Sequence, residues 1–220
     1  MTTTADTPWT DAPLVALDLE GTGAQDREDE RILEIAVIPI TGGRPSLPDA
    51  YTTLLNPGRR IQRHPWISPG LTNATLADAP PLADVEPELA RRLNGQLIIG
   101  HNVGVDWRLL HRCCPTVRPS GLIDTLRLAR HLYPGDKRKS LTALLEHHAL
   151  TEQVTCSAPN SQPHRALWDT LGTALLLSTL IDRLATRRVL RLGDLQRLAG
   201  IPIANDAEGR GRPEQTPLLW

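Results

Sequence analysis

Leu14-Val15-Ala16-Leu17-Asp18-Leu19-Glu20-Gly21-Thr22-Gly23 is a short apolar run that closes on two acids and a glycine-flanked turn. The run from Leu14 to Leu19 reads as a strand packed on both faces, which puts it at the centre of a sheet. Asp18 and Glu20 alternate along it and so point to one face. Two carboxylates in such a place lose hydration and repel each other unless a cation sits between them. Beyond an acid-rich loop, Gln25 to Glu30, the stretch Arg31 to Ile40 reads as a second strand. Gly42-Gly43 marks a turn, and Asp49 to Leu55 a third strand. Together they predict a meander of three antiparallel strands at the front of the chain.

Beyond the meander, helices and strands alternate. Asn56 to Pro81 is rich in Pro and Gly and holds at most one short helix. Leu82 to Leu93 has helical spacing and stops at Gly95. Leu97 to Gly100 is a buried strand, and Val105 to Cys113 a helix ended by Pro115. Leu122 to Asp124 is another strand, followed by a helix through Leu132. Ser140 caps a helix through His148. Thr151 to Gln162 reads as a loop, and Pro163 as the start of a long helix to about Leu184. Gly193 to Gly200 reads as a last short helix. The order predicts an α/β domain with a mixed sheet flanked by helices, spanning residues 13–185. Residues 1–12 read as a flexible leader. Residues 186–220 read as a C-terminal extension, disordered through its polar, Gly-, Pro- and Arg-rich stretch from Asn205 to Pro217.

At 220 residues the chain fits one domain with a tail. Phe is absent and aromatics make up 3%, so the core must rest on Leu, Ile, Val and Ala. The net charge of −1 neither announces nor excludes a nucleic-acid partner, because metal ions can meet a phosphate. The polar N-terminus is no signal peptide, and no apolar stretch is long enough for a bilayer. The expected location is the cytoplasm, without a membrane partner. Cys113, Cys114 and Cys156 lack zinc spacing and read as reduced thiols.

Two further acids have a comparable setting. Asp106, in His101-Asn102-Val103-Gly104-Val105-Asp106, starts a helix, where the dipole favours an anion. Asp169, in His164-Arg165-Ala166-Leu167-Trp168-Asp169, lies about one turn into the long helix. His164, five residues earlier, cannot share its face and hangs from the helix start or the loop before it. Oxygen ligands suit Mg2+ or Mn2+. Such a site suits two-metal hydrolysis of a phosphodiester, with a mobile imidazole taking the water's proton.

These three motifs, in order and with His in the last, resemble those of the DEDDh 3′→5′ exonucleases. This is the DnaQ-like group that includes the proofreading epsilon subunit of bacterial DNA polymerase III. Supporting segments are Arg31 to Val37, Asn56-Pro57-Gly58, Ala79-Pro80-Pro81, Asp124-Thr125 and Leu132-Tyr133-Pro134. The resemblance implies a ribonuclease H-like fold, two Mg2+ or Mn2+ ions and nucleoside 5′-monophosphate products. It implies that Asp18 bridges both metals, that Glu20 and Asp169 hold the first, and that Asp106 supports the second through water. His164 is then the general base. Gly21, Thr22, Leu71, Asn102 and Trp66 are the expected substrate contacts, with Thr22 near the terminal 3′-OH and Trp66 stacking on a base.

The chain departs from the group at Pro69, where relatives carry His, and at Val105, where an aromatic often precedes the acid. Both bear on the grip on the terminal bases. Trp107 and Trp168 read as core, His101 as a structural support, and His147-His148 as helix surface. Two basic stretches, Arg59-Arg60 with Arg63-His64 and Lys137-Arg138-Lys139, could meet phosphates. Gln215-Thr216-Pro217-Leu218-Leu219-Trp220 resembles the peptides by which replication proteins bind the sliding clamp. The function so implied is a 3′→5′ exonuclease on single-stranded or frayed DNA, in proofreading or repair, beside a DNA polymerase. The alternatives are an exoribonuclease trimming RNA ends and a non-catalytic clamp or polymerase adaptor.

Overall fold

The computed structural model describes residues 4–23, 25, 29–185 and 189–203. The front meander is present as β1 (Leu14–Gly21), β2 (Ile32–Thr41) and β4 (Tyr51–Leu54), with an extra two-residue strand β3 (Arg44–Pro45). Then come α1 (Leu82–Leu93), β5 (Leu97–Gly100), α2 (Gly104–Cys113), β6 (Gly121–Asp124) and α3 (Thr125–Leu132). The remaining elements are α4 (Leu141–His147), α5 (Thr151–Ser157), α6 (Ala166–Leu184), α7 (Leu192–Ala199) and β7 (Gly200–Ile201). The sheet runs β3-β2-β1-β5-β6-β7, and β4 also pairs with β2. β1 lies antiparallel to β2 and parallel to β5; β6 is parallel to β5 and antiparallel to β7.

Strand alternation divides the core between the two faces. Leu14 and Ala16 of β1, with Ile38 and Ile40 of β2, join one cluster. It contains Leu176, Leu177, Leu180 and Ile181 of α6 and Leu195 and Ala199 of α7. Val15 and Leu17, with Ile35 and Val37, join a second cluster containing Leu89 and Leu93 of α1 and Leu110 of α2. Burying each such aliphatic side chain stabilises the fold by about 1.5–3 kcal/mol. The even-numbered face of β1 continues into Asp18 and Glu20, so the acids emerge under α6.

Four segments differ from the sequence reading. Thr151–Ser157 is a helix rather than a loop, seated by Val154, which is wholly buried. α6 begins at Ala166 rather than Pro163, because His164 takes a left-handed φ of 63° and Arg165 is extended. The stretch expected as a leader packs onto the domain from Thr4 on: the Trp9 ring is buried and its backbone N–H donates to Leu190 O at 3.1 Å. Leu192 N donates to Thr7 O at 2.8 Å, and Gly193 N to Ala5 O at 2.8 Å. The described part of the C-terminal extension supplies core residues Leu190, Leu192, Leu195 and Ala199, and an edge strand. Gln215–Trp220 lies outside the described residues. Among those described, no helix is long and apolar enough to cross a membrane. Cys113, Cys114 and Cys156 are free thiols, and burial pushes the Cys114 thiol up to about 12.

Candidate active site

β5 accompanies β1 only along Leu14 to Ala16, so the acid-bearing half of β1 has β2 alone as its neighbour. The cleft opens beside this half, at the carboxyl ends of β1 and β5. α6 crosses above it and brings Asp169 from its first turn. Carboxylate oxygens of Asp18, Glu20 and Asp169 lie within 4.8 Å of one another. Asp106 reaches the same place from the first turn of α2 and is 9% exposed. Its charge is felt by Asp18, and that of Glu20 by Asp106.

Crowding and burial raise the proton affinity of all four acids. Burial lifts Asp106 to about 8, against the pull of its own backbone amide and that of Leu19. Burial also lifts Glu20 to about 7 and Asp169 to about 6. Asp18 stands well above the carboxylate range, through burial and then the charges of Asp106, Asp169, Glu20 and Glu34. The set is all oxygen, convergent and short of positive charge. That is the donor chemistry of a hard divalent cation, so these residues fit a metal centre.

His164 is exposed on the turn ahead of α6. Its backbone N–H faces Asp169 Oδ1 at 3.4 Å, and its charge and amide both draw the Asp169 carboxyl down. His101 stays outside the cleft as a support. Its Nδ1 meets Thr125 Oγ1 at 2.9 Å and its Nε2 meets Lys139 O at 2.8 Å. Asp124 caps α3 and accepts from Asn102 N at 2.8 Å, holding the loop ahead of Asp106. Asn102 itself is exposed with φ 67°, a conformation Asn tolerates.

The expected substrate contacts divide. Thr22 is 3% exposed and committed internally: its N–H donates to Arg31 O at 3.0 Å and its Oγ1 accepts from Arg31 N at 3.1 Å. Its carbonyl accepts from Trp66 Nε1 at 3.1 Å. A Cβ on Gly21 would stand 2.9 Å from Leu109, and one on Gly23 2.7 Å from Trp66. The room these glycines leave on the Cβ side is filled by the protein's own side chains. Leu71 is 5% exposed and packs with Leu33, Ile61 and Leu76, because the Pro-rich loop builds a small core of its own. Trp66 does face outward: it is 48% exposed and stacks on His64 at 4.3 Å.

Three contacts had no signal in the spacing of the motifs. Ser68 Oγ donates to Glu20 Oε2. Arg165 Nε and Nη2 donate to the two oxygens of Glu34 at 2.7 and 2.8 Å. Glu30, 4% exposed, accepts from Arg108 Nη1 at 2.7 Å and ties α2 to the loop after β1. An acid in an apolar strand, as Glu34 and Glu30 are in and beside β2, is the one hint the sequence offers.

The sequence profile of the exonuclease family (RNase_T) matches residues 15–177. The chain belongs to this family. Its fold is ribonuclease H-like. The epsilon-like DNA polymerase III protein of Rhodobacter capsulatus is 29% identical over 192 residues, covering 86% of this chain and 26% of the relative. The DNA polymerase III epsilon subunit of Aquifex aeolicus is 29% identical over 180 residues, covering 79% and 83%. The chain thus spans 26% of the first curated relative and 14% of the next two, PolC-type polymerases. Exonuclease X, solved in complex with 5′ overhanging duplex DNA, superposes with a TM-score of 0.65 at 29% identity. That match covers 83% of this chain and 98% of the other. The nuclease domain of 3′hExo, a DEDDh member bound to rAMP, shares the fold at a TM-score of 0.61 and 16% identity.

Proposed function

We propose that this protein is a metal-dependent 3′→5′ exonuclease acting on single-stranded or frayed DNA and releasing nucleoside 5′-monophosphates. The observation that carries the reading is the convergence of the Asp18, Glu20 and Asp169 carboxylates within 4.8 Å, with Asp106 beside them. Two divalent cations, Mg2+ or Mn2+, would be held with Asp18 shared, Glu20 and Asp169 on one, and Asp106 behind the other. When bound they supply positive charge at the scissile phosphate and acidify an attacking water. His164, at the mouth of the cleft, takes the proton of that water. The water oxygen bonds to phosphorus as the bond to the 3′-oxygen breaks, and that oxygen takes a proton from solvent, so the shortened strand ends in a 3′-hydroxyl. Trp66, outward and braced on His64, offers a face to an unpaired base. Asn102 stands exposed across the loop from Asp106.

Labelled DNA and RNA oligomers incubated with Mg2+ or Mn2+ test the reading. Stepwise shortening of single-stranded DNA from its 3′ end supports it. Faster loss of RNA points to an exoribonuclease, and no degradation of either with any metal overturns catalysis. Relatives that are polymerase III epsilon subunits support a cytoplasmic role beside a polymerase. Gln215–Trp220 would then dock on a sliding clamp; equal clamp affinity with and without residues 215–220 would end that idea.

A further inference from the structure

His164 acts, on the exonuclease reading, from a short turn that has to be held still. Its φ of 63° lies in the left-handed region, where a non-glycine residue persists only under outside constraint. The residue after it is extended, with φ −128° and ψ 136°, and α6 begins only at Ala166. The first N–H groups of a helix need partners from outside it, and Arg165, at the capping position, makes no side-chain cap. The cap comes from β2. Glu34 Oε2 accepts from Ala166 N at 3.2 Å, across 132 residues of sequence.

The same carboxylate takes Arg165 from the side. Nε and Nη2 donate at 2.7 and 2.8 Å, the two-pronged geometry that fixes a guanidinium in orientation as well as distance. Glu34 is 5% exposed on a strand whose neighbours Leu33, Ile35 and Ala36 are wholly buried, so the anchor itself is rigid. The third nitrogen of Arg165, Nη1, lies 3.3 Å from where a Cβ on Gly70 would stand. The guanidinium therefore also rests on the loop whose Ser68 donates to Glu20. His164, Arg165 and Ala166 are each tied down in turn, the first to Asp169 and the next two to Glu34.

The geometry points to Glu34 and Arg165 as positioning residues that set the His164 turn. Neither touches the reacting atoms; they act through the backbone that carries the imidazole. The pair also places a positive charge beside Glu34, which faces Glu20 in the strand register. The inference rests on His164 serving as the base.

Arg165→Gln tests it, with Arg165→Lys as the conservative variant and Glu34→Gln as the change on the other side. On a single-stranded DNA oligomer, Arg165→Gln should lower kcat roughly 10- to 100-fold, the range for a misplaced catalytic group, and leave KM within about threefold. Mn2+ should still bind by titration calorimetry, because no metal-facing acid is lost. Arg165→Lys should recover part of kcat, and Glu34→Gln, which keeps an acceptor for Ala166, should fall between. In a His164→Ala background the Arg165→Gln change should cost nothing more, since the group it positions is gone. A further loss there, a loss confined to KM, or unchanged kcat in Arg165→Gln overturns the inference. The carbon chemical shifts of His164 by NMR read its φ without turnover. They should leave the left-handed range in Arg165→Gln, and their persistence also overturns it. If the wild type degrades nothing, the exonuclease reading fails, while the NMR arm still decides whether the pair sets the turn. Should Arg165→Gln not fold, Arg165→Lys carries the same comparisons.

Discussion

Glu20→Gln isolates the charge cost of assembling the acids without a cation. In the folded state burial holds the Glu20 carboxyl at about 7, against an ordinary 4.5. The folded protein binds this proton more tightly than the unfolded chain does. The resulting stability is therefore complete below pH 4.5 and is lost as pH rises through about 7. A difference of about 2.5, at about 1.4 kcal/mol each, gives ~3.5 kcal/mol. Solvent reaching the half-buried carboxyl through the cleft reduces this to ~2 kcal/mol. For a chain of this size that corresponds to ~4–8 °C in Tm. Gln keeps an oxygen to accept from Ser68 Oγ, so the hydrogen bond survives while the charge goes. His101, lowered by burial, runs the other way, gaining stability with pH up to about its ordinary 6.5, and cancels between the two proteins. The assay is thermal unfolding by circular dichroism in chelator, from about pH 5 to about pH 8.5, a window that brackets the Glu20 transition. Wild type should lose stability across that range, and Glu20→Gln should lose ~4–8 °C less. Parallel curves, or a wild type that gains stability toward the alkaline end, would refute the reasoning. Saturating Mn2+ should flatten the wild-type curve, because a bound cation replaces the protons; at about 100 times its Kd it adds ~2.7 kcal/mol.

Single side chains carry the other expected outcomes. Asp18→Ala should abolish shortening of a DNA oligomer in a gel assay, while raising Tm in chelator, because it deletes a carboxylate that burial and four neighbouring acids oppose. Trp66→Ala should weaken single-stranded DNA binding in Ca2+ by ~1–3 kcal/mol, measured by fluorescence anisotropy, through loss of base stacking. Leu177→Ala, on the wholly buried face of α6, should cost ~2–5 kcal/mol in urea unfolding and leave the per-site chemistry of the folded fraction unchanged.

How far the sequence could be read depended on the range of the interaction. β1, β2, α1 and β5 arise from alternation or helical spacing within a dozen residues, and their ends fall within a residue or two of the expected places. The four acids were legible for the same reason: each sits at a fixed offset from a local apolar run. α5 was not, because Thr151-Glu152-Gln153 has the polarity of a loop and only the packing of Val154 makes it helical. β3 and β7, two residues each, exist through their partner strands. The orientation of Thr22 and Leu71 was equally hidden. A hydroxyl's choice between Arg31 and solvent, or a leucine's between a loop core and the cleft, depends on neighbours that spacing does not encode. Glu34 and Arg165 are 131 residues apart, and nothing local to either announces the other.

The pairing of residues 5–9 with 190–193 has a consequence for how the chain reaches its native state. Arg191 Nη1 donates to Asp6 O across 185 residues of sequence. Such a contact closes a very long loop, and contacts of that span are slow to find. During synthesis the Trp9 ring has only the Gly43 turn to rest on, and its segment lacks its backbone partners until Leu190 and Leu192 have been made. An apolar indole thus stays only partly covered while the sheet assembles. Refolding from denaturant should accordingly show Trp9 burial among the last events, after the β1–β2 hairpin and α6 have docked.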